Sequence, residues 1–124
     1  MATITEDYVS FEIAKLLKEK GFNEPCYACY LNKELSHYDY TFTNFELVDI
    51  AISAPTLQMA MKWLREVHNI AINIGWGEVF EDEFQWRCII LNQKDGRILR
   101  HSEYSNTYEQ AANTAIRYCL ENLI

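Results

Sequence analysis

The apolar positions of this chain switch repeatedly between a helical and a strand period. Val9, Ile13, Leu16 and Leu17 recur at helical spacing, with Glu12, Lys15 and Glu19 on the other side at favourable charge spacings. Thr5, followed by Glu6 and Asp7, offers a cap and first-turn acids for this helix, and Gly21 offers its stop. The period then shortens. Residues 26–31 form a β-like run after Pro25, residues 32–34 a turn, residues 37–42 an alternating strand and residues 46–52 a third strand.

Ser53, Ala54, Pro55 and Thr56 open a second helix, with Ser53 or Thr56 as its cap. Leu57, Ala60, Met61, Leu64 and Val67 line one face, and Met59 and Trp63 widen it, so this helix is expected to be covered on more than one side. Ile70, Ile72, Ile74 and Trp76 alternate as a half-buried strand, with Gly75 and Gly77 marking its end. Residues 78–83 read as an acidic connection and residues 84–91 as the strongest strand. Residues 92–96 read as a hairpin turn in which Gly96 takes a positive φ, and residues 97–101 as the return strand. Ser105, Asn106 and Thr107 cap a last helix whose buried face is Ala112, Ile116, Cys119, Leu120 and Leu123.

The predicted order is α-β-β-β-α-β-β-β-α, an α+β fold of antiparallel sheets with helices packed on one face. The 124 residues suit one domain, 1–124. Short matches link residues 15–19 to 62–66 and residues 53–58 to 105–110. They outline a pseudo-repeat, 5–68 and 55–124, sharing the central helix, although chance likeness of amphipathic helices explains matches this short. The repeat requires three strands in the first half.

The formal net charge of −7, without a basic run, disfavours phosphate backbones and anionic membranes. The first residues show no basic start leading into an apolar stretch, and no window reaches the roughly 20 apolar residues of a membrane span. A cytoplasmic protein is expected. The four glycines form no phosphate-binding loop, and no cofactor is expected.

Cys26 and Cys29 have the spacing of zinc knuckles and redox pairs. Zinc would need two further ligands, residues three apart on a strand point to opposite faces, and no helix N-terminus follows to lower a thiol pKa. A packing role is expected for both, and for Cys88 and Cys119 on apolar faces. His68 ends a helix, where a cation is favoured, and His37 and His101 are expected at the surface. No catalytic or metal-binding residue is therefore assigned. The enzyme alternative needs a cysteine or histidine meeting a second polar group in a concave pocket.

The aromatic residues are too numerous for one small core. Tyr27, Tyr30, Tyr38, Tyr40 and Trp76 lie in or near strands, and rings on an outer strand face would serve contact with a second copy or another protein. Glu78, Glu81, Asp82 and Glu83 form the only charge cluster, a solvated loop or a surface for a basic partner.

Two resemblances rest on longer segments. Residues 53–68, with Ser53, Pro55, Lys62, Trp63 and His68, together with residues 9–22 and 118–124, resemble a set of small uncharacterised proteins of gut-bacterial genomes and their phage-like mobile elements. That likeness implies a bacterial or prophage origin and carries over no catalytic residue. Residues 55–124 resemble the topology of a double-stranded RNA-binding domain, which contacts phosphates through lysines at the start of its last helix. No Lys or Arg stands between Arg100 and Arg117, so the resemblance implies a fold and not its RNA contacts. The expected function is a non-enzymatic accessory or protein–protein interaction module. The alternatives are a degenerate RNA-binding-like nucleic-acid binder and a small Cys/His enzyme.

Overall fold

A computed structural model describes residues 4–48, 50–101 and 103–124. Among them are three helices and six strands, in the order α1 (Phe11–Glu19), β1 (Cys26–Leu31), β2 (Glu34–Phe42), β3 (Ala51–Ser53), α2 (Leu57–His68), β4 (Ile70–Phe80), β5 (Glu83–Asn92), β6 (Ile98–His101) and α3 (Tyr108–Asn122). The α+β order read from the sequence is the observed one. The strands make two three-stranded antiparallel sheets, β2-β1-β3 and β4-β5-β6. The chain divides into two compact units at residues 60 and 61, within α2. Both sheets have three strands, but they are wired differently. The first strand is central in the first sheet, and the middle strand is central in the second. No helix among the described residues is long and apolar enough to cross a membrane.

In the first unit the entry to α1 departs from the expectation. Thr5, Glu6 and Asp7 do not start a helix. Tyr8 bridges Thr56, the Val9 amide donates to the Pro55 carbonyl at 3.1 Å, and the Leu57 amide donates to the Asp7 carbonyl at 2.9 Å. Burial of Val9 in this extended arrangement outweighs a local cap at Thr5. Ser10 caps the helix instead, accepting from the Ile13 amide at 3.3 Å, and Gly21 stops it at φ +93°. The β1–β2 turn uses Asn32 and Lys33, both at positive φ, the backbone of a two-residue hairpin loop.

The third strand is shorter than expected. Residues 46–48 and Ile50 do not pair, and Asp49 lies outside the described residues. The Thr43 amide and hydroxyl donate to the Glu46 carboxylate at 3.0 and 3.1 Å, and the Glu46 amide donates to the Thr43 carbonyl at 3.1 Å. This reciprocal capping winds a turn where apolar alternation alone reads as a strand. Buried Asn44 secures the turn. Its side-chain NH2 donates to the Phe22 carbonyl at 2.8 Å, and its oxygen accepts from the Ser53 amide at 2.9 Å.

In the second unit β4 runs on through both glycines. Gly75 pairs with Arg87 and Gly77 with Gln85, so glycine weakens this strand without ending it. The residues expected to form an acidic connection divide accordingly: Glu78 lies in β4, Glu83 begins β5, and only Glu81 and Asp82 make the turn, with Asp82 at φ +60°. At the other hairpin the Gly96 amide, at φ +73°, donates to the Asn92 carbonyl at 2.8 Å. Thr107 caps α3 by accepting from the Gln110 amide at 3.0 Å. The buried face of α3, Ala111, Ala112, Ala115, Ile116, Cys119 and Leu120, lies against β4 and β5. The small alanines bring helix and sheet close, and Ile116 and Leu120 fill the space between them.

Candidate functional site

Cross-strand register decides which side chains share a sheet face, because directly opposed residues point the same way. Trp76 opposes Trp86, Ile74 opposes Cys88, and Glu78 opposes Phe84. Trp86 leans on the first residue of α3, its ring 5.3 Å from Tyr108 and nearly perpendicular to it. This is the face that α3 covers. The hairpin outruns the helix, so the aromatic row continues into solvent. Trp86 lies 5.3 Å from Trp76, and Trp76 stacks on Phe84 at 6.1 Å and 17°. Trp76 is 56% exposed, Phe84 50% and Phe80, beside the turn, 71%.

The four predicted acids lie at the same end of the hairpin, Glu78 alone on the face of the rings. Glu78 is two residues beyond Trp76 on the same strand face, and one of its carboxylate oxygens accepts from the Asp82 amide at 3.0 Å. Glu81, Asp82 and Glu83 are exposed at the turn. Among the described residues none of the four makes an ion pair with a basic side chain, whereas Arg117 and Glu121 pair at 3.6 Å. Arg87 opposes Gly75 and so belongs to the other sheet face. One hairpin end thus unites Trp76 with Glu78, Glu81, Asp82 and Glu83. Phe80, Phe84 and Trp86 were missed in the sequence because two glycines looked like a strand end. The even spacing of Trp76 and Glu78 across Gly77, mirrored by Phe84 and Trp86, is the signal that could have found them.

The tyrosines belong to the first unit and do different work. Tyr30 is half-buried, its hydroxyl donates to the Val9 carbonyl at 2.6 Å, and its ring meets Phe11 edge-on at 5.6 Å. It ties β1 to the start of α1, and burial raises its pKa. Tyr27, Tyr38 and Tyr40 are exposed to differing degrees around an irregular stretch in which Tyr27 alone faces residues 38–41. Tyr38 and Tyr40 pack together at 5.5 Å and both lean on buried Phe42.

All four cysteines are buried. Burial pushes the Cys26 thiol up to about 11, offset only in part by the nearby Ser53 hydroxyl, and pushes Cys119 up to about 12. Cys29 is raised for the same reason. Such thiols are poor nucleophiles and poor metal ligands. His37 meets Tyr8 edge-on at 5.0 Å, His68 meets Trp63 at 4.7 Å, and His101 is exposed on β6. No group of three His, Cys, Asp or Glu among the described residues is placed to hold a metal ion. A cleft of about 230 Å³ lies beside α3. Its Arg100 sits over the Tyr118 ring at 4.2 Å and its Arg117 pairs with Glu121, so its cations are already engaged.

Two measurements follow from the thiols. A thiol reagent at neutral pH is expected to modify native protein slowly and all four cysteines rapidly in denaturant. A folded pKa above the unfolded value means that the stabilisation is complete below the unfolded pKa of 9.0 and is lost as pH rises through the folded values near 11 and 12. Stability to urea is therefore expected to fall across that alkaline window, and to fall less steeply in the Cys26→Ala/Cys119→Ala variant. An equal slope in the variant would exclude these thiols as the cause.

No family model matches this chain, and no curated protein and no solved structure matches it at a significant level.

Proposed function

We propose that this chain is a non-enzymatic protein-interaction module, cytoplasmic and of bacterial or prophage origin, whose contact site is the free end of the β4–β5 hairpin. The observation that carries this reading is the exposed pair Trp76 and Phe84, continuous with the ring of Trp86, with Phe80 exposed nearby beside the turn. Large rings left in water forgo about 25 cal/mol for each Å² of apolar surface, which a partner would recover. Their anchoring on a sheet and a helix start keeps the ordering cost of binding low. A partner other than a second copy is favoured, because juxtaposing two such ends would oppose their acids.

The acidity argues against nucleic acid. The first turn of α3 carries Glu109 and no basic side chain, and a mobility-shift assay with double-stranded RNA at low salt is expected to show no complex. The test of the proposal is a peptide array probed with native protein and with the Trp76→Ala/Phe84→Ala variant, both checked for native circular dichroism. Native protein is expected to retain a subset of peptides that the variant loses. Indistinguishable binding by the two would rule out this site.

A further inference from the structure

Resting on that reading, we infer that the partner presented to the hairpin end is a cationic, Lys- or Arg-bearing segment of another protein, bound with its charged head against the exposed aromatic surface of Trp76 and Phe84. Three observations converge on that chemistry. Trp76 and Phe84 are stacked nearly parallel and each is half exposed, so the pair keeps aromatic surface open to a ligand. The face of an aromatic ring is electron-rich and attracts ammonium and guanidinium groups, tryptophan most strongly. A purely aliphatic partner would gain nothing from this electrostatic preference.

The second observation is the charge around the rings. Glu78 shares their strand face, and Glu81, Asp82 and Glu83 follow at the turn, with no basic side chain in an ion pair with any of them among the described residues. An incoming cation therefore meets aromatic faces and carboxylates together without displacing an existing counter-charge. The hydrogen bond from the Asp82 amide to Glu78 orients one carboxylate oxygen and leaves the other for the ligand. The third observation is local contrast. The chain does neutralise cations elsewhere: Arg100 lies over Tyr118, Lys33 over Phe11, and Arg117 beside Glu121. At the hairpin end the same aromatic and acidic elements lie close together.

The test is a titration followed by the fluorescence anisotropy of a dye-labelled peptide. The probes are three short, unstructured peptides of equal length: one with several Lys and Arg spaced by Gly, one with those positions changed to Gln, and one with them changed to Glu. The cationic peptide is expected to bind at least about tenfold more tightly than the neutral one, and the acidic peptide to show no binding. Raising salt from about 50 to about 300 mM should weaken the cationic complex several-fold. Changing Glu78, Glu81 and Glu83 to Gln and Asp82 to Asn should weaken it about tenfold, and these exposed changes leave the fold intact. Trp76→Ala should abolish it, whereas Trp76→Phe should retain part of it and stands in if the alanine variant is unfolded.

Equal affinity for the neutral and cationic peptides, or an undiminished affinity in the amide variant, would overturn the cationic partner while leaving an aromatic contact site standing. Binding of the cationic peptide that is insensitive to Trp76 would overturn both. A cationic peptide that fails to bind native protein at low salt would overturn this inference alone, with the array deciding the broader one.

Discussion

Asn44→Ala is expected to lower stability by about 2–5 kcal/mol, because two buried backbone groups lose their partner at once. The side chain donates to the Phe22 carbonyl and accepts from the Ser53 amide, so one residue joins the end of α1, the turn after β2 and the strand β3. Alanine takes the side-chain partner from both groups in a buried setting, each such loss costing about 1–3 kcal/mol. Asn44→Asp makes the argument specific. It keeps an acceptor for Ser53 but loses the donor to Phe22, and it buries a carboxyl. Its stability should therefore improve as pH falls and the carboxyl takes a proton that the Phe22 carbonyl can accept. Asn106→Ala, at an exposed position, should change stability by less than about 0.5 kcal/mol. Urea denaturation measures all three. A loss at Asn44 no larger than at Asn106 would show that the turn is not held this way.

Leu120→Ala is expected to cost about 2–5 kcal/mol, with a lowered denaturation midpoint and an unchanged m-value. Leu120 is fully buried on the face of α3 that lies against the second sheet. Around it Ala111, Ala112 and Ala115 already place helix and sheet close together, so the neighbours have little freedom to collapse into the space left behind. Leu120→Met conserves volume and should cost less than about 1.5 kcal/mol. Leu123, in the C-cap and only partly buried, should tolerate alanine at less than about 1 kcal/mol. Similar costs at 120 and 123 would mean that α3 packs differently.

These two positions also show how far local pattern reaches. Leu120 belongs to an apolar stripe at helical spacing that is visible in the chain, and its burial follows from that period. Asn44 does not announce itself. It follows a strand and precedes an apolar run, and its importance comes from partners 22 residues earlier and 9 residues later. The same division runs through the candidate site. Trp76 and the acids stand out as residue types, and their separate roles as ring and charge can be argued from composition. Their union needs the register Trp76↔Trp86 and Glu78↔Phe84, which requires β4 to continue through two glycines. Tyr30 is the opposite case: it stands out equally in the sequence, and its hydroxyl turns out to be committed to Val9.

The sequence by itself determined the kind and order of the elements, the capping of α3, the glycine stops after α1 and at residue 96, and the burial of the cysteines. Each depends on side chains within a few residues, through helical or strand periodicity and preferred φ. Tertiary structure alone decided that α1 starts at Phe11, that the chain turns at residues 43–46 instead of pairing from 46 on, that the two sheets differ in strand order, and that rings and acids meet at one hairpin end. Those outcomes depend on which distant backbone groups satisfy one another, and a single buried partner such as Val9 or Asn44 outweighs the weaker local preference of the residues around it.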